Sequence, residues 1–302
     1  MKLPALLFLL ICGTATAQSA KDLMLQSVVK NAVTPGYAKL AGNCRLLSEA
    51  TGKLDAQPDP AHLEQARACW LEAATAAQEL DCFKTGPIVD AGDAAAFYFV
   101  KVRSPSIERA IQGDATLQQL GAAAKGLFAM EYLLFPKDAL ARFSSESKRR
   151  HYLSLIAQET EGQAERLEKA WQPPYSPSAA RFLTGGQDSL NTLVNQMVMT
   201  SESVAVLRFN PDNPEKIPGA ASGHSQVLLS AAVDGLHRIL GGGLNDYTRH
   251  LNPSLADRLD RQFASTLESP SVENCSSLNV LLKVDLPSTL GVTLTFISTD
   301  GD

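Results

Sequence analysis

Basic charge is scarce: 27 Lys and Arg stand against 32 Asp and Glu, for a formal charge of −5. Nucleic-acid binders carry a basic face, so that class is excluded. Aromatic residues are few, at 2 Trp, 6 Tyr and 11 Phe in 302 residues. No C-x-x-C occurs, which removes zinc ribbons and thioredoxin-type redox chemistry. No H-E-x-x-H occurs either, which removes the zincin arrangement. Past the first 17 residues, no stretch approaches the 18 uninterrupted apolar residues that mark a spanning helix. What is present is a globular composition, 45% apolar and 20% charged, with frequent alanine-rich runs. Such runs favour helix, and an all-α chain is the expectation.

The first 17 residues read as an export leader. Met1-Lys2 supply the positive start, Leu3 to Ile11 the short apolar core, and Ala15-Thr16-Ala17 the small-x-small site before Gln18. A lipoprotein reading through Cys12 competes, although Ile11 is bulky where a small residue is wanted. Cleavage after Ala17 places the mature chain in the periplasm. Its length suits two compact domains better than one.

Export puts Cys44, Cys69, Cys82 and Cys275 in an oxidising compartment. Four cysteines allow three pairings. If residues 37–54 and 61–82 form a helical hairpin turning near Gln57, Cys44 and Cys69 lie at similar height on adjacent helices. A Cys44–Cys69 bridge is the expectation, against the reading of all four as small buried apolar residues.

Helical periodicity runs along most of the chain. Residues 21–33 form a helix broken at Thr34-Pro35-Gly36, since the residue before a proline avoids the α region. The hairpin 37–54 and 61–82 turns over the two prolines of 55–60 and stops at Gly86-Pro87. Residues 86–105 read as an irregular connection. Helices are expected at 115–135 and 146–171, and then at 187–206, 224–240, 252–267 and 272–285. Prolines and glycines in 172–186 mark a domain boundary, and the triple glycine 241–243 a break. This places a leader at 1–17, an N-terminal helical bundle at 18–172 and a C-terminal bundle at 173–302. Leu290, Val292, Leu294 and Phe296 alternate in a closing extended tail, either a short strand or a segment packed on the helices.

One position breaks its pattern. Along 115–135 the apolar stripe runs Leu117, Leu120, Ala124, Leu127 and Phe128, then Glu131, then Leu134 and Phe135. Steps of three and four put Glu131 in the middle of the face to be buried. An ionised carboxylate there needs a cation or several hydrogen-bond donors, lines a wet cleft, binds a metal, or stays protonated. The alternative is a buried ion pair that merely orients helices.

The stretch Gly126-Leu-Phe-Ala-Met-Glu131-Tyr-Leu-Leu-Phe135 resembles the signature of the imelysin-like family of bacterial envelope proteins. Ala66-Arg67-Ala-Cys-Trp70, then Gly86-Pro87-Ile88, is similar to that family's first hairpin and following loop. Leu290 to Phe296 with Asp300-Gly301-Asp302 is similar to its ending. The resemblance implies an all-α protein of two domains, each built around a four-helix bundle, with a site between them. It also implies export and a link to iron acquisition: iron or an iron complex as the bound species, and envelope iron-transport components as partners. The family's proposed metallopeptidase activity centres on G-x-H-x-x-E, whose His and Glu share a helix face. Here the histidine position is Phe128, and a phenyl ring coordinates no metal. Gly126 and Glu131 are retained.

Arg103 is the expected partner of Glu131, because a guanidinium suits a buried carboxylate. Arg208 and Lys84 are alternatives at helix ends. Asp90 either adds a second acidic oxygen at the same cleft or caps a turn. Ser222 reads as a helix N-cap rather than a nucleophile, and with Glu131, Arg103, Asp90 and His224 it makes up the candidate ligand- or metal-binding set. His224 sits at an expected helix start, Ser222-Gly223-His224, and either reaches the cleft or caps that helix. Asp234 and His237 stand at i and i+3, a spacing that permits shared ligation. His62 and His151 read as solvated. The functional expectation is a non-enzymatic ligand- or metal-binding accessory of iron acquisition, with an interdomain cleft centred on Glu131. The other readings are an envelope docking module in which Glu131 is structural, and a metallopeptidase.

Overall fold

The computed structural model describes residues 19–113, 117–207 and 217–295. The leader with Cys12, Arg208 and the ending from Phe296 to Asp302 therefore lie outside the described residues. Among the described residues there is no strand, and the architecture is all-α. The N-terminal half holds α1 (Ala20–Val28), α2 (Thr34–Ala56), α3 (Pro60–Glu79), α4 (Pro87–Asp90), α5 (Ala94–Tyr98) and α6 (Ser104–Gln112). It continues with α7 (Leu127–Leu134), α8 (Ala139–Ser145) and α9 (Ser147–Ala170). The C-terminal half holds α10 (Pro177–Leu183), α11 (Gly186–Glu202), α12 (Ser225–Ile239), α13 (Asn245–Leu251), α14 (Pro253–Glu268), α15 (Val272–Val280) and α16 (Leu286–Leu290).

The helix expected to break at Thr34 does not. A π-helical turn over Val29–Val33 joins α1 to α2, with the Thr34 N–H donating to the Val29 carbonyl. Pro35 lacks an N–H and its ring crowds the carbonyl four residues back; the wider turn ahead of it absorbs both defects. The triple glycine likewise bends rather than ends its helix, in a second π turn over Leu240–Leu244. Its freed Gly242 carbonyl accepts from Ser27 Oγ at 2.8 Å and Asn31 Nδ2 at 3.1 Å. This contact docks α1 on the C-terminal half, where it also meets α10 and α11.

The long helix expected over 115–135 is also corrected. Short 3-10 turns at Leu117–Gln119 and Ala122–Ala124 precede α7, which starts only after Gly126. Gly126 has φ +83°, and a Cβ there would lie 2.5 Å from the Ala96 carbonyl oxygen. Only glycine supplies that conformation and that approach, and a helix cannot run through it. The connection 86–105 is more ordered than expected, containing α4, α5 and the first turn of α6.

In the N-terminal half α2 packs along both α3 and α9; across the chain, α12 packs on α3. Trp70, Trp171, Tyr37, Phe83, Phe97, Phe143 and Phe263 are the largest fully buried side chains. They belong to one continuous apolar cluster that runs through both halves. The run Ser225–Leu251 is long and apolar enough to cross a bilayer. Here it is a core element, packed on α3 and α14. The Cys44–Cys69 bridge is not formed: all four cysteines are free. Cys44 is 1% exposed inside the α2 packing face, whereas Cys69 lies half-buried at the rim of α3.

Candidate functional site

Helix α7 is apolar nearly all round, and Leu127, Phe128, Ala129, Met130, Leu133 and Leu134 are buried. Such a helix belongs inside, where α3, α5 and α9 surround it. The indole N–H of Trp70, on α3, donates to the Leu127 carbonyl at 2.7 Å and fixes the helix start. Glu131 is carried into this interior and is 4% exposed.

The partner of Glu131 comes from the other half of the chain and is not a cation. Residues 217–223 make a run of tight turns closed by the His224 N–H on the Gly219 carbonyl at 2.9 Å. The loop presents its backbone to the carboxylate, and Ser222 N donates to Glu131 Oε1 at 2.8 Å. The backbone N–H groups of Ala221 and Gly219 and the Ser222 side chain also face the carboxylate and favour its charged form. The Ser222 hydroxyl lies 3.1 Å from the Gly219 carbonyl. Burial pushes the Glu131 carboxyl above the usual carboxylate range, and these donors pull it only part of the way back.

Against the loop lies a group of rings. His224 precedes α12, with its ring 6.5 Å from Trp70 and 5.8 Å from Phe135. Trp70 and Phe135 meet edge to face at 5.0 Å. Arg67 covers the Phe135 ring at 5.5 Å, and its Nε donates to the Leu134 carbonyl at 2.8 Å. Nδ1 of His224 is buried and has no hydrogen-bond partner among the described residues.

The structure thus brings together Glu131, Ser222 and His224, three of the residues singled out by sequence. It separates the others. Arg103 is exposed ahead of α6, with its backbone N–H on the Ala123 carbonyl, so it does not neutralise Glu131. Lys84 pairs with Asp81 at 2.7 Å. Asp90 is exposed and pairs with Arg181 at 3.0 Å, so it adds no oxygen to the Glu131 site. Gly86 and Pro87 open α4, beside Trp171. Asp234 pairs with Arg238 at 2.6 Å, and His237 stacks near Phe263 at 5.4 Å. Sequence reasoning missed Trp70 and Phe135 as neighbours of the site; the aromatic character of both within the quoted motifs was the available signal.

Among the described residues no three His, Cys, Asp or Glu side chains come together to hold a metal ion. Phe128, 3% exposed, occupies the helix turn before Glu131 with a ring that offers no lone pair. Glu131 itself is engaged by the loop. A catalytic metal requires about three protein ligands and an open position. The residues at this site do not fit one.

A sequence profile of the imelysin family matches residues 33–271. The chain belongs to that family. No curated protein sequence matches it. Among solved structures, an imelysin-like protein from Psychrobacter arcticum 273-4 is similar with a TM-score of 0.78 at 19% identity, covering 91% of this chain and 97% of its own. A protein from Parabacteroides distasonis ATCC 8503, described as an iron-regulated protein A precursor, gives a TM-score of 0.69 at 15% identity. It too covers 91% of this chain and 97% of its own. Both share the fold.

Proposed function

We propose that this imelysin-family chain is an exported, non-enzymatic accessory of iron acquisition that binds an iron complex at the seam between its halves. The observation that carries the reading is the Glu131 contact. A carboxylate from α7 spends its hydrogen bonds on ordering the 217–223 loop, and no three-ligand metal set stands beside it among the described residues. Glu131 is then the organiser of the loop, while Nδ1 of His224, without a hydrogen-bond partner among the described residues, is the polar group left for a ligand. Phe135, half-buried, supplies flat apolar area next to it, backed by the buried Trp70. A complexed iron fits such a surface better than a bare ion, because the chelate brings its own ligand set. The iron link is supported by the family and by the name of the Parabacteroides relative. The export leader in residues 1–17 is consistent with a periplasmic site of action.

A second reading is an envelope docking module in which Glu131 is architecture. It is favoured by the donors that the 217–223 loop supplies to this carboxylate. A thermal-shift panel on residues 18–302 separates the two. Ferrous and ferric iron, zinc, haem and a ferric chelate are compared with wild type, Glu131→Gln and His224→Ala. A ligand at 100 times its dissociation constant adds about 2.7 kcal/mol, a visible rise in melting temperature. A rise with haem or the chelate that is lost in His224→Ala supports binding at the seam. A cooperative melt that no candidate shifts supports the docking module.

A further inference from the structure

Between α6 and the connection that leads to α7 lies a cavity of about 340 Å³. It exists because the residues around it are small. Ala110 on α6, and Ala123 and Ala124 on the facing 3-10 turn, end at a methyl group, and Gly121 carries no side chain. The backbone at Gly121 does not call for glycine. Its φ is −71°, and a Cβ there would meet nothing within 4 Å. Leu120 adds a longer apolar wall.

Both walls are fixed from outside the cavity. The Arg103 N–H donates to the Ala123 carbonyl at 2.8 Å, and the Tyr152 hydroxyl, from α9, donates to the Ala124 carbonyl. Lys125 reaches back to the Leu117 carbonyl at 3.3 Å while pairing with Glu159 at 2.8 Å. On the other side Glu108 anchors α6, accepting from Arg149 at 3.1 and 2.5 Å and from the Tyr132 hydroxyl at 2.9 Å. The separation of the two walls is therefore set before any ligand arrives, which lowers the ordering cost of binding.

The charge at the cavity has one sign. Arg109 lines it, and none of the residues around it is acidic. Arg142, Arg149 and Arg150 nearby in sequence all meet carboxylates. Arg109 differs: its Nε donates to the Pro105 carbonyl at 3.4 Å, and no carboxylate pairs with it among the described residues. Its neighbour Glu108 is committed to Arg149. Ser106 stands one turn earlier on the same helix face and Gln119 across the opening, so a hydroxyl and an amide flank the guanidinium. An apolar interior with one cationic, hydrogen-bonding end selects a ligand of matching polarity. A guanidinium fork suits a carboxylate, and the volume lies near the lower end for small-molecule sites, too small for haem.

We propose that this cavity binds a small aliphatic carboxylate. Its anionic end meets Arg109 and Ser106, and its hydrocarbon lies against Ala110, Leu120, Ala123 and Ala124. The site shares no residue with the Glu131 seam and does not rest on the reading given there.

The test uses residues 18–302 carrying methyl-labelled alanine, titrated with hexanoate and, for comparison, hexanol, hexylamine and inorganic phosphate. In wild type, hexanoate is expected to shift the methyl signals of Ala110, Ala123 and Ala124, a reading that depends on no variant. Arg109→Gln is expected to weaken hexanoate binding by about tenfold, because charge-assisted hydrogen bonds are lost. Gly121→Leu places a side chain in the cavity without backbone strain and is expected to abolish binding. Both positions are exposed, so both variants are expected to melt as wild type does. Hexylamine is expected not to bind. Three methyl signals that hexanoate leaves unmoved overturn the proposal. Equal affinity for hexanol, or hexanoate binding that Arg109→Gln leaves unchanged, overturns it in favour of a plain apolar crevice. Phosphate that binds as tightly as hexanoate overturns it in favour of a bare anion site. Full-strength binding to folded Gly121→Leu overturns it by placing the ligand elsewhere.

Discussion

At the scale of single residues, Glu131 was visible from sequence because it violates a stripe, whereas its partner was not. A carboxylate in an apolar row advertises a need, and the natural reading is a guanidinium such as Arg103. The structure meets the need with backbone N–H groups of the 217–223 loop, and a backbone group has no sequence signature. Ser222 reads from sequence as a cap and a candidate ligand residue, yet its backbone N–H is what the carboxylate meets. The arrangement has a pH consequence. Burial holds the Glu131 carboxyl above its ordinary range in the folded chain, so the folded state binds this proton more tightly than the unfolded state does. The stability it contributes is complete below the ordinary carboxylate value and is lost as pH rises through the raised one. Urea midpoints of wild type, measured relative to Glu131→Gln, are therefore expected to fall as pH climbs through that window. Parallel pH profiles for the two proteins would show that the carboxyl is not perturbed.

At the scale of elements, periodicity located most helices but not how they are joined. Apolar spacing carries through Gly121 and Gly126 without a gap, so a single helix over 115–135 was the natural reading; the positive φ of Gly126 is invisible to spacing. Conversely, Thr34-Pro35-Gly36 and Gly241-Gly242-Gly243 are strong break signals. Both are absorbed by π turns, because α1 and the glycine turn pack on each other and share the Gly242 carbonyl. Helices α3 and α12 cross closely at Gly235. A Cβ on Gly235 would fall 2.0 Å from the Glu79 carbonyl oxygen. Around it Lys39 and Arg238 meet the Glu79 carboxylate at 2.7 and 3.7 Å, so one crossing joins the halves by both contact and charge. Gly235→Ala must push the helix backbones apart. A loss of about 2–3 kcal/mol, near the upper end of ordinary overpacking, is expected in chemical denaturation. A change under about 0.5 kcal/mol would show that the crossing is loose.

At the scale of the whole molecule, the all-α class followed from composition and alanine-rich periodicity, whereas the relation between the halves did not. Sequence places a boundary at 172/173 because prolines and glycines collect there. Yet α1 lies against α10, α11 and the 240–244 turn, α12 against α3, α4 against α10, and Glu131 against the 217–223 loop, so contacts cross that boundary at several separate places. The apolar cluster is continuous through all of them. When two halves share buried surface on this scale, unfolding one exposes the apolar face of the other, and the cost of partial unfolding approaches that of the whole. We propose that the two halves of the chain melt as one unit. Scanning calorimetry of residues 18–302 is expected to give a single transition whose calorimetric and van't Hoff enthalpies agree. In Gly235→Ala the transition is expected to move down as a whole. Two resolved transitions in wild type would mean that each bundle carries a sufficient core of its own. A split appearing only in Gly235→Ala would instead identify the α3–α12 crossing as the contact that couples them.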